Sequence, residues 1–326
     1  MAGSSKMPSQ YKNIRPLVIG LGVAGKRHLK AQLQLGIQTG VYSLHINKTD
    51  PLRKQTNIIV FDNPQDAIDW CNLVHVCTPD DKHTEYVALA LKKGKAVLCE
   101  KAFTTSLSDA LCLQDLAHKH NSTLIVGQNY RLTPSFAETR KQISEGQLGT
   151  ITEIETTYFH DRADFERRYS DQYFLHIGGS HAVDLACWTV GKQIVRVQAF
   201  SENKLNYSIT IEFSSGLKGN IKLDASSPRS ISGTDLIVYG EKGKLVSHNK
   251  SDKLLFYKYG DKKIKSTPLP NIKTFTIPQE VKIIDDYLSG KTTTHWPLPA
   301  VDEALNLIKV LDSIQKASSS GKTERV

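Results

Sequence analysis

The chain has 326 residues, 39% hydrophobic and 23% charged, with a formal net charge of +9. This size and balance fit two globular domains and exclude a disordered or collagen-like chain. No apolar run is long enough to span a bilayer, and Met1 to Lys12 has no signal-peptide core, so no membrane partner is expected.

The basic residues are dispersed, with a modest cluster at Lys262-Lys263-Ile264-Lys265. No recognition helix or aromatic-rich RNA motif accompanies them, so no nucleic-acid partner is expected. A phosphorylated cofactor or substrate, or a solvated basic surface, accounts for the excess. Five cysteines (Cys71, Cys77, Cys99, Cys112 and Cys187) form no close pair of the metal-binding or redox type, and no metal site is expected. All but Cys187 fall in apolar or helical runs and read as buried free thiols, which implies a reducing, cytoplasmic compartment.

The apolar run Pro16-Leu17-Val18-Ile19 leads into Gly20-Leu21-Gly22-Val23-Ala24-Gly25, and a helical pattern follows. In a strand–turn–helix of this kind the first glycine permits the tight turn. The second lets a pyrophosphate approach, and the third lets helix and strand pack closely. The helix N-terminus, including Val23 and Ala24, then faces the phosphates. Short apolar strands are expected at Val41–Ile46, Asn57–Phe61, Leu73–Cys77, Ala96–Cys99 and Thr123–Val126. Helical patterns at Pro64–Cys71, Lys82–Lys92 and Ser106–His120 separate them, the last opened by a capping-box pair, Ser106 and Asp109. Such alternation implies a doubly wound parallel sheet with its ligand crevice at the carboxyl ends of the strands.

The pattern changes after Gly127. A helix, Pro134–Glu145, a strand, Ile151–Phe159, and a helix within Leu175–Val190 are followed by strand signals from Ile194 to Leu269. Asp235–Tyr239 and Lys244–Val246 flank a turn at Gly240-Glu241-Lys242-Gly243. Two helices, Gln279–Leu288 and Ala300–Gln315, precede a tail from Ser318 that looks mobile. The fold class expected is therefore α/β. A Rossmann-type domain spans 1–127, and an α+β domain with a mostly antiparallel sheet spans 128–326. One face of that second sheet is left for a partner subunit, so a homo-oligomer, dimer or tetramer, is expected.

Chemistry-bearing residues cluster at strand ends. Thr78-Pro79 with His83 follows one strand, and Glu100-Lys101 follows the next. Position alone also allows Thr78-Pro79 to be a plain connection and Lys101 a solvated charge. His181 and Asp184, one helical turn apart, offer a proton-exchanging ring and a carboxylate to orient it, or are simply polar helix residues.

Taken together, these segments resemble the glucose–fructose oxidoreductase and inositol dehydrogenase (Gfo/Idh/MocA) family from about Arg15 to Gly321. The anchors are Gly20 to His28, Thr78-Pro79 with His83, and Ala90 to Lys101. Further anchors are Asn129-Tyr130-Arg131 with Pro134, Gly146-Gln147-Leu148-Gly149, and His181 to Leu185 with Trp188. The resemblance implies a nicotinamide cofactor on the first domain and a sugar or cyclitol on the second. By it, Lys101 contacts nicotinamide and substrate, and His181 is the general acid/base. Gly20, Gly22, Val23, Ala24, Gly25, Asn47, Lys48, Thr78, Pro79, His83, Glu100 and Lys101 are the expected cofactor contacts. Lys101, Asn129, Arg131, Tyr169, His176 and His181 are the expected substrate contacts, with Arg162 and Arg167 in the same polar, aromatic loop.

Three departures stand out. Ala102 replaces the family's proline after the Glu-Lys pair, so the local backbone is expected to differ. Ile177 stands where many members carry an aspartate. His176 beside it is expected to face elsewhere on a helix, which leaves Asp184 as a partial replacement. Asn47 or Lys48 stands where an acid would grip the ribose of NAD, with Arg53 and Lys54 nearby, so NADP is favoured over NAD. The expected activity is hydride transfer to or from a sugar, sugar derivative or cyclitol. A non-catalytic dinucleotide sensor and a reductase of other carbonyl or C=N groups remain alternatives on the same fold.

Overall fold

The first sheet is made of short runs buried on both faces. In the computed structural model, which describes residues 13–161, 174–270 and 276–326, it contains β1 (Pro16–Ile19), β2 (Thr39–Tyr42), β3 (Ile58–Val60), β4 (Leu73–Val76), β5 (Ala96–Glu100) and β6 (Leu124–Gly127). They pair in parallel in the order β3-β2-β1-β4-β5-β6. Every residue of β1, β4, β5 and β6 is buried, which is why these strands read as unbroken apolar runs. Helices α1 (Val23–Gln34), α2 (Pro64–Trp70), α3 (His83–Lys92) and α4 (Leu107–Lys119) connect them. Helix α2 shows how local sequence sets a boundary. The Asn63 side chain accepts hydrogen bonds from the Gln65 and Asp66 N–H groups, and Pro64 takes the first turn, where no donor is needed.

After α5 (Pro134–Ser144), β7 (Ile151–Asp161) and α6 (Ser180–Val190), the chain lays down β8 (Ile194–Phe200), β9 (Asn206–Phe213), β10 (Lys218–Ser227), β11 (Asp235–Gly240), β12 (Gly243–His248), β13 (Lys253–Lys258) and β14 (Lys265–Pro268). Among the described residues the second sheet has the order β14-β13-β12-β11-β7-β10-β9-β8-β15, with β15 at Glu324–Arg325. Only its β7–β10 pair is parallel. Strands β9 and β10 alternate between buried and exposed residues, so one face is covered and the other open. The β11–β12 hairpin turns through Glu241-Lys242, as expected. The tail does not end in free chain: Glu324 and Arg325 pair with Val197 and Arg196 of β8. Cys112 is exposed on α4, whereas Cys71, Cys77 and Cys99 are buried thiols.

The described chain forms two compact units, and a single boundary at residue 127 is corrected. Thr276–Leu305, which contains α7 (Thr276–Leu288) and the start of α8 (Val301–Ser320), belongs to the first unit with the chain up to Thr104 and Ser108–Asn129. The reason is apolar burial: Ile277 and Val281 of α7 pack on Ala31 of α1. No helix among the described residues is long and apolar enough to cross a membrane.

This packing also buries Asp285 of α7, whose carboxyl accepts a hydrogen bond from Gln32 at 3.2 Å. Burial pushes its pKa up to about 7, against the opposing pull of the Gln32 bond and of Lys291 and Lys282, with Asp286 adding to the rise. A carboxyl with a raised folded-state pKa stabilises the fold fully below pH 4, and that contribution is lost as pH rises through 7. Asp285→Asn keeps an acceptor for Gln32 without the charge. It is expected to raise stability at pH 8 by an amount on the order of 1–4 kcal/mol and to leave it unchanged near pH 4, as read by thermal unfolding at both values.

Candidate active site

The glycine turn between β1 and α1 meets two steric demands and leaves its middle glycine open. Gly20 has φ +90°, and a Cβ there would lie 2.8 Å from the Cys77 carbonyl oxygen. A Cβ on Gly25 would overlap the Gly20 carbonyl oxygen. At Gly22 a Cβ would meet no protein atom within 4 Å, so packing does not explain this glycine. Gly22 is also the N-cap of α1, without a side-chain cap, and the first turn carries no acid. The turn thus presents helix N–H groups toward open space, as anion binding requires.

Polar groups gather at the carboxyl ends of β4, β5 and β6, all in the first unit. Thr78 follows β4, and its buried Oγ1 has no partner. Gln128 follows β6, is 1% exposed, and neither polar atom of its amide is bonded. The Asn129 Oδ1 beside it is likewise unpartnered. Lys101 follows β5 and is half-buried. Buried polar groups are normally satisfied, so this set fits the amide and hydroxyl groups of a bound nicotinamide nucleotide. Gln128 was not singled out from sequence. Its signal was available: like Lys101, it is a polar residue just past the end of a fully buried strand.

Other expected cofactor contacts are engaged within the protein. His83 is fully buried, with Nδ1 2.9 Å from the Ala102 carbonyl oxygen and Nε2 3.0 Å from that of Thr78, so it ties two turns together. Glu100 points inward: its carboxylate lies 2.8 Å from His28 Nε2 and accepts from the Lys101 N–H at 3.3 Å. The peptide between Lys101 and Ala102 is cis. Pro79 precedes the short 3-10 turn Asp80–Lys82.

Strand β2 stops at Tyr42 rather than at Ile46, which corrects the register of the ribose end. Ile46 N–H bonds back to the Ser43 carbonyl, so the chain is already turning there. Ser43, Leu44 and His45 therefore occupy the strand tip. Asn47 is part of a local turn, with its Oδ1 accepting from the Thr49 N–H and Oγ1, both at 2.9 Å. Lys48 is exposed, and Arg53 pairs with Asp62.

In the second unit, a π turn at Leu175–Gly179 runs directly into α6. Two glycines permit it. A Cβ on Gly178 would lie 2.6 Å from the Tyr158 ring, and one on Gly179 would press on Leu175 and Leu311. Bonding from i to i+5 closes a wider turn here than in an α-helix. Both histidines are buried, at 8% and 6% exposure. The His181 ring stacks on Tyr130 at 4.0 Å between centroids and on Tyr158 at 5.8 Å. Ile177 is buried.

Asp184 faces Arg131. Its two oxygens take a bidentate contact from Arg131, at 2.9 Å from Nε and 2.5 Å from Nη2, with both residues 4% exposed. Arg131 is thereby committed to an internal pair. Tyr169, Arg162 and Arg167 lie outside the described residues.

A doubly wound parallel sheet with an open glycine turn, followed by a mixed sheet whose covered side carries a buried histidine, defines a Rossmann-type two-domain protein of oxidoreductase architecture. Residues 14–128 match the family model described as an oxidoreductase family with NAD-binding Rossmann fold, and residues 136–246 match the GFO/IDH/MocA C-terminal domain. The chain belongs to the Gfo/Idh/MocA oxidoreductase family. It is 32% identical to the uncharacterized oxidoreductase YhhX of Escherichia coli over 231 residues, 68% of this chain but only 62% of that one. It is 26% identical to the scyllo-inositol 2-dehydrogenase (NADP(+)) IolW of Bacillus subtilis over 77% of this chain and 78% of that one. Its fold matches the crystal structure of an oxidoreductase domain protein from Kribbella flavida with a TM-score of 0.83 at 19% identity, covering 97% and 99% of the two chains.

Removing one member of the Arg131–Asp184 pair takes a bidentate partner from the other, which is buried. Arg131→Met is expected to cost about 3–5 kcal/mol in denaturant unfolding. Arg131→Met combined with Asp184→Leu should recover much of that loss.

Proposed function

We propose that this protein is an NAD(P)-dependent oxidoreductase moving a hydride between nicotinamide and a hydroxyl or keto carbon of a sugar, sugar derivative or cyclitol. The observation that carries this reading is the set of unpartnered polar groups at the ends of neighbouring strands, Thr78 Oγ1 and the Gln128 amide, in a sheet that also carries a glycine turn whose middle residue packing does not require. Gly20, Gly22, Val23, Ala24 and Gly25 would hold the pyrophosphate, with Thr78, Pro79, Lys101 and Gln128 nearer the nicotinamide. The bound cofactor supplies the acceptor or donor of the hydride. The Lys101 side chain hydrogen-bonds the reacting oxygen and stabilises charge that develops on it. His181 takes the hydroxyl proton when substrate is oxidised and returns it in reduction. His176, buried beside Ile177, would stand in for the acid that Ile177 replaces. Asn129 orients the substrate by hydrogen bonds.

The cofactor preferred is NADP. Ser43, Leu44 and His45 at the tip of β2 include no acid to repel a 2′-phosphate, and Lys48 lies nearby. The Bacillus subtilis relative named as an NADP(+) enzyme supports the same choice. The chain is proposed to work in the cytoplasm as a homo-oligomer, a dimer or tetramer. A second copy would cover the open sheet face that carries Gln198, Phe200, Thr210 and Lys222. Phe200 is 62% exposed there, so Phe200→Asp should shift assembly toward the monomer in light scattering.

The direct test is a panel of sugars and cyclitols assayed at the reduced-nicotinamide absorbance with both cofactors. Turnover is expected, with tighter binding of NADPH than of NADH, and loss of turnover by at least about a hundredfold in His181→Ala. The second reading, a dinucleotide sensor, is favoured by Ile177. Tight cofactor binding with no turnover on any substrate would establish it.

A further inference from the structure

Beneath the glycine turn, polar side chains from α1, β4, β5 and α7 form one connected chain. Gln32, His28 and His75 are fully buried, and Asp285 and Glu100 are 5% and 8% exposed. The Gln32 Nε2 lies 3.2 Å from Asp285 Oδ1 and 3.1 Å from His75 Nε2. His75 Nδ1 lies 3.1 Å from His28 Nδ1, and His28 Nε2 lies 2.8 Å from Glu100 Oε1.

The order of donors follows from one end. The Gln32 amide nitrogen can only donate, so it gives one hydrogen to Asp285 and the other to His75 Nε2. With Nε2 accepting, neutral His75 carries its proton on Nδ1 and donates to His28 Nδ1. His28 then carries its proton on Nε2 and donates to Glu100. Burial, with His28 adjacent, holds the His75 pKa well below its ordinary value, so the ring stays neutral. Every link points toward Glu100, and aligned links polarise one another. Reversing Gln32 would move the His75 proton to Nε2 and require either a protonated Glu100 or an imidazolium at His28. Burial works against the Glu100 carboxylate, but the hydrogen bond and any charge of His28, with Lys101 and His83, outweigh it and hold its pKa below the ordinary value, and nitrogen-15 spectra distinguish the imidazolium.

Glu280 of α7 completes the cluster. It is fully buried and neither of its carboxyl oxygens is bonded, yet one lies within 4.8 Å of His28 and Glu100. Space for it exists because Gly127 has no Cβ, which would overlap Glu280 Oε1. Beside an ionised Glu100 it is the neutral acid: burial first, and the Glu100 charge second, push its pKa well up. The buried thiols of Cys77 and Cys99 also border this group and add no cation.

Glu100 connects this network to Lys101. Its second oxygen accepts from the Lys101 N–H, while His83 holds the Ala102 and Phe103 carbonyls at 2.9 and 3.3 Å. We propose that Gln32, His75 and His28 are positioning residues for Lys101: they donate in sequence to Glu100, hold it as a carboxylate, and fix the turn that carries Lys101, with Glu280 beside them as a neutral acid. The activity part of this proposal rests on the oxidoreductase reading.

The experiment has two arms on the full-length protein. Nitrogen-15 imidazole spectra at pH 7, without substrate, should show the proton on Nδ1 of His75 and on Nε2 of His28. The opposite tautomers, or an imidazolium at either ring, overturn the chain whatever the activity. Glu280→Gln should retain both tautomers and the thermal midpoint. A divalent ion found in the purified protein by mass spectrometry and lost in Glu280→Gln overturns the neutral acid. In the activity arm, His75→Leu should lower kcat roughly tenfold or more with little change in KM for the dinucleotide. His75→Asn, whose amide can donate in place of Nδ1–H, should restore it. Equal loss in both variants, or none in either, overturns the positioning role. Absence of turnover in the unmodified protein counts against the oxidoreductase reading alone, because the spectra still decide the chain.

Discussion

A sheet buried on both faces can offer polar chemistry only where its strands end. Strands β1, β4, β5 and β6 are wholly buried, so groups meant for a ligand must appear after their last residues. They do: the glycine turn after β1, Thr78 after β4, Lys101 after β5, Gln128 and Asn129 after β6. The same constraint governs polar groups that remain inside. They must satisfy one another, because water cannot. His28, His75, Gln32 and Glu100 do so as one chain of hydrogen bonds rather than as isolated pairs, with only Gln32 Oε1 of this set left without a partner.

The second unit fixes a histidine by packing. Gly178 lets Tyr158 lie against the π turn, and Tyr158 and Tyr130 both stack on His181. Rings held in this way cost little further ordering when a substrate arrives. The Arg131–Asp184 pair lies in the same unit, linking the turn before α5 to helix α6. Each carboxylate oxygen keeps a second lone pair, so the arginine fixes Asp184 in place without using up its capacity to accept.

The parts legible in sequence were those set by local sterics. Gly20 and Gly25 answer to backbone positions within the turn and its neighbouring strand, and the buried strands announce themselves by unbroken apolar runs. What escaped was set by partners distant in the chain. Val41 to Ile46 looks like one strand, but β3 pairs it only as far as Val41 and β1 only as far as Tyr42. The extra residue of the π turn depends on Tyr158, twenty positions upstream of Gly178, so helical periodicity could not reveal it. The stripe of α7 was readable as amphipathic. That it would return to Ala31 of α1, and carry Glu280 and Asp285 in with it, was not.

Helix α1 accordingly has two tasks at once. Its N-terminus faces outward from the glycine turn, while His28 and Gln32, one turn apart on its inner face, reach His75, Glu100 and Asp285. A shift of α1 to admit a phosphate would therefore be felt at Glu100 and, through the Lys101 N–H, at the lysine turn. A helix anchored by polar bonds at two levels resists that shift more than one held by apolar contact alone, because hydrogen bonds are directional and buried ones are costly to break. On this view the buried polar chain makes the phosphate cradle and the lysine turn one rigid body. That explains why a core otherwise built of aliphatic strands retains two histidines, a glutamine and two glutamates.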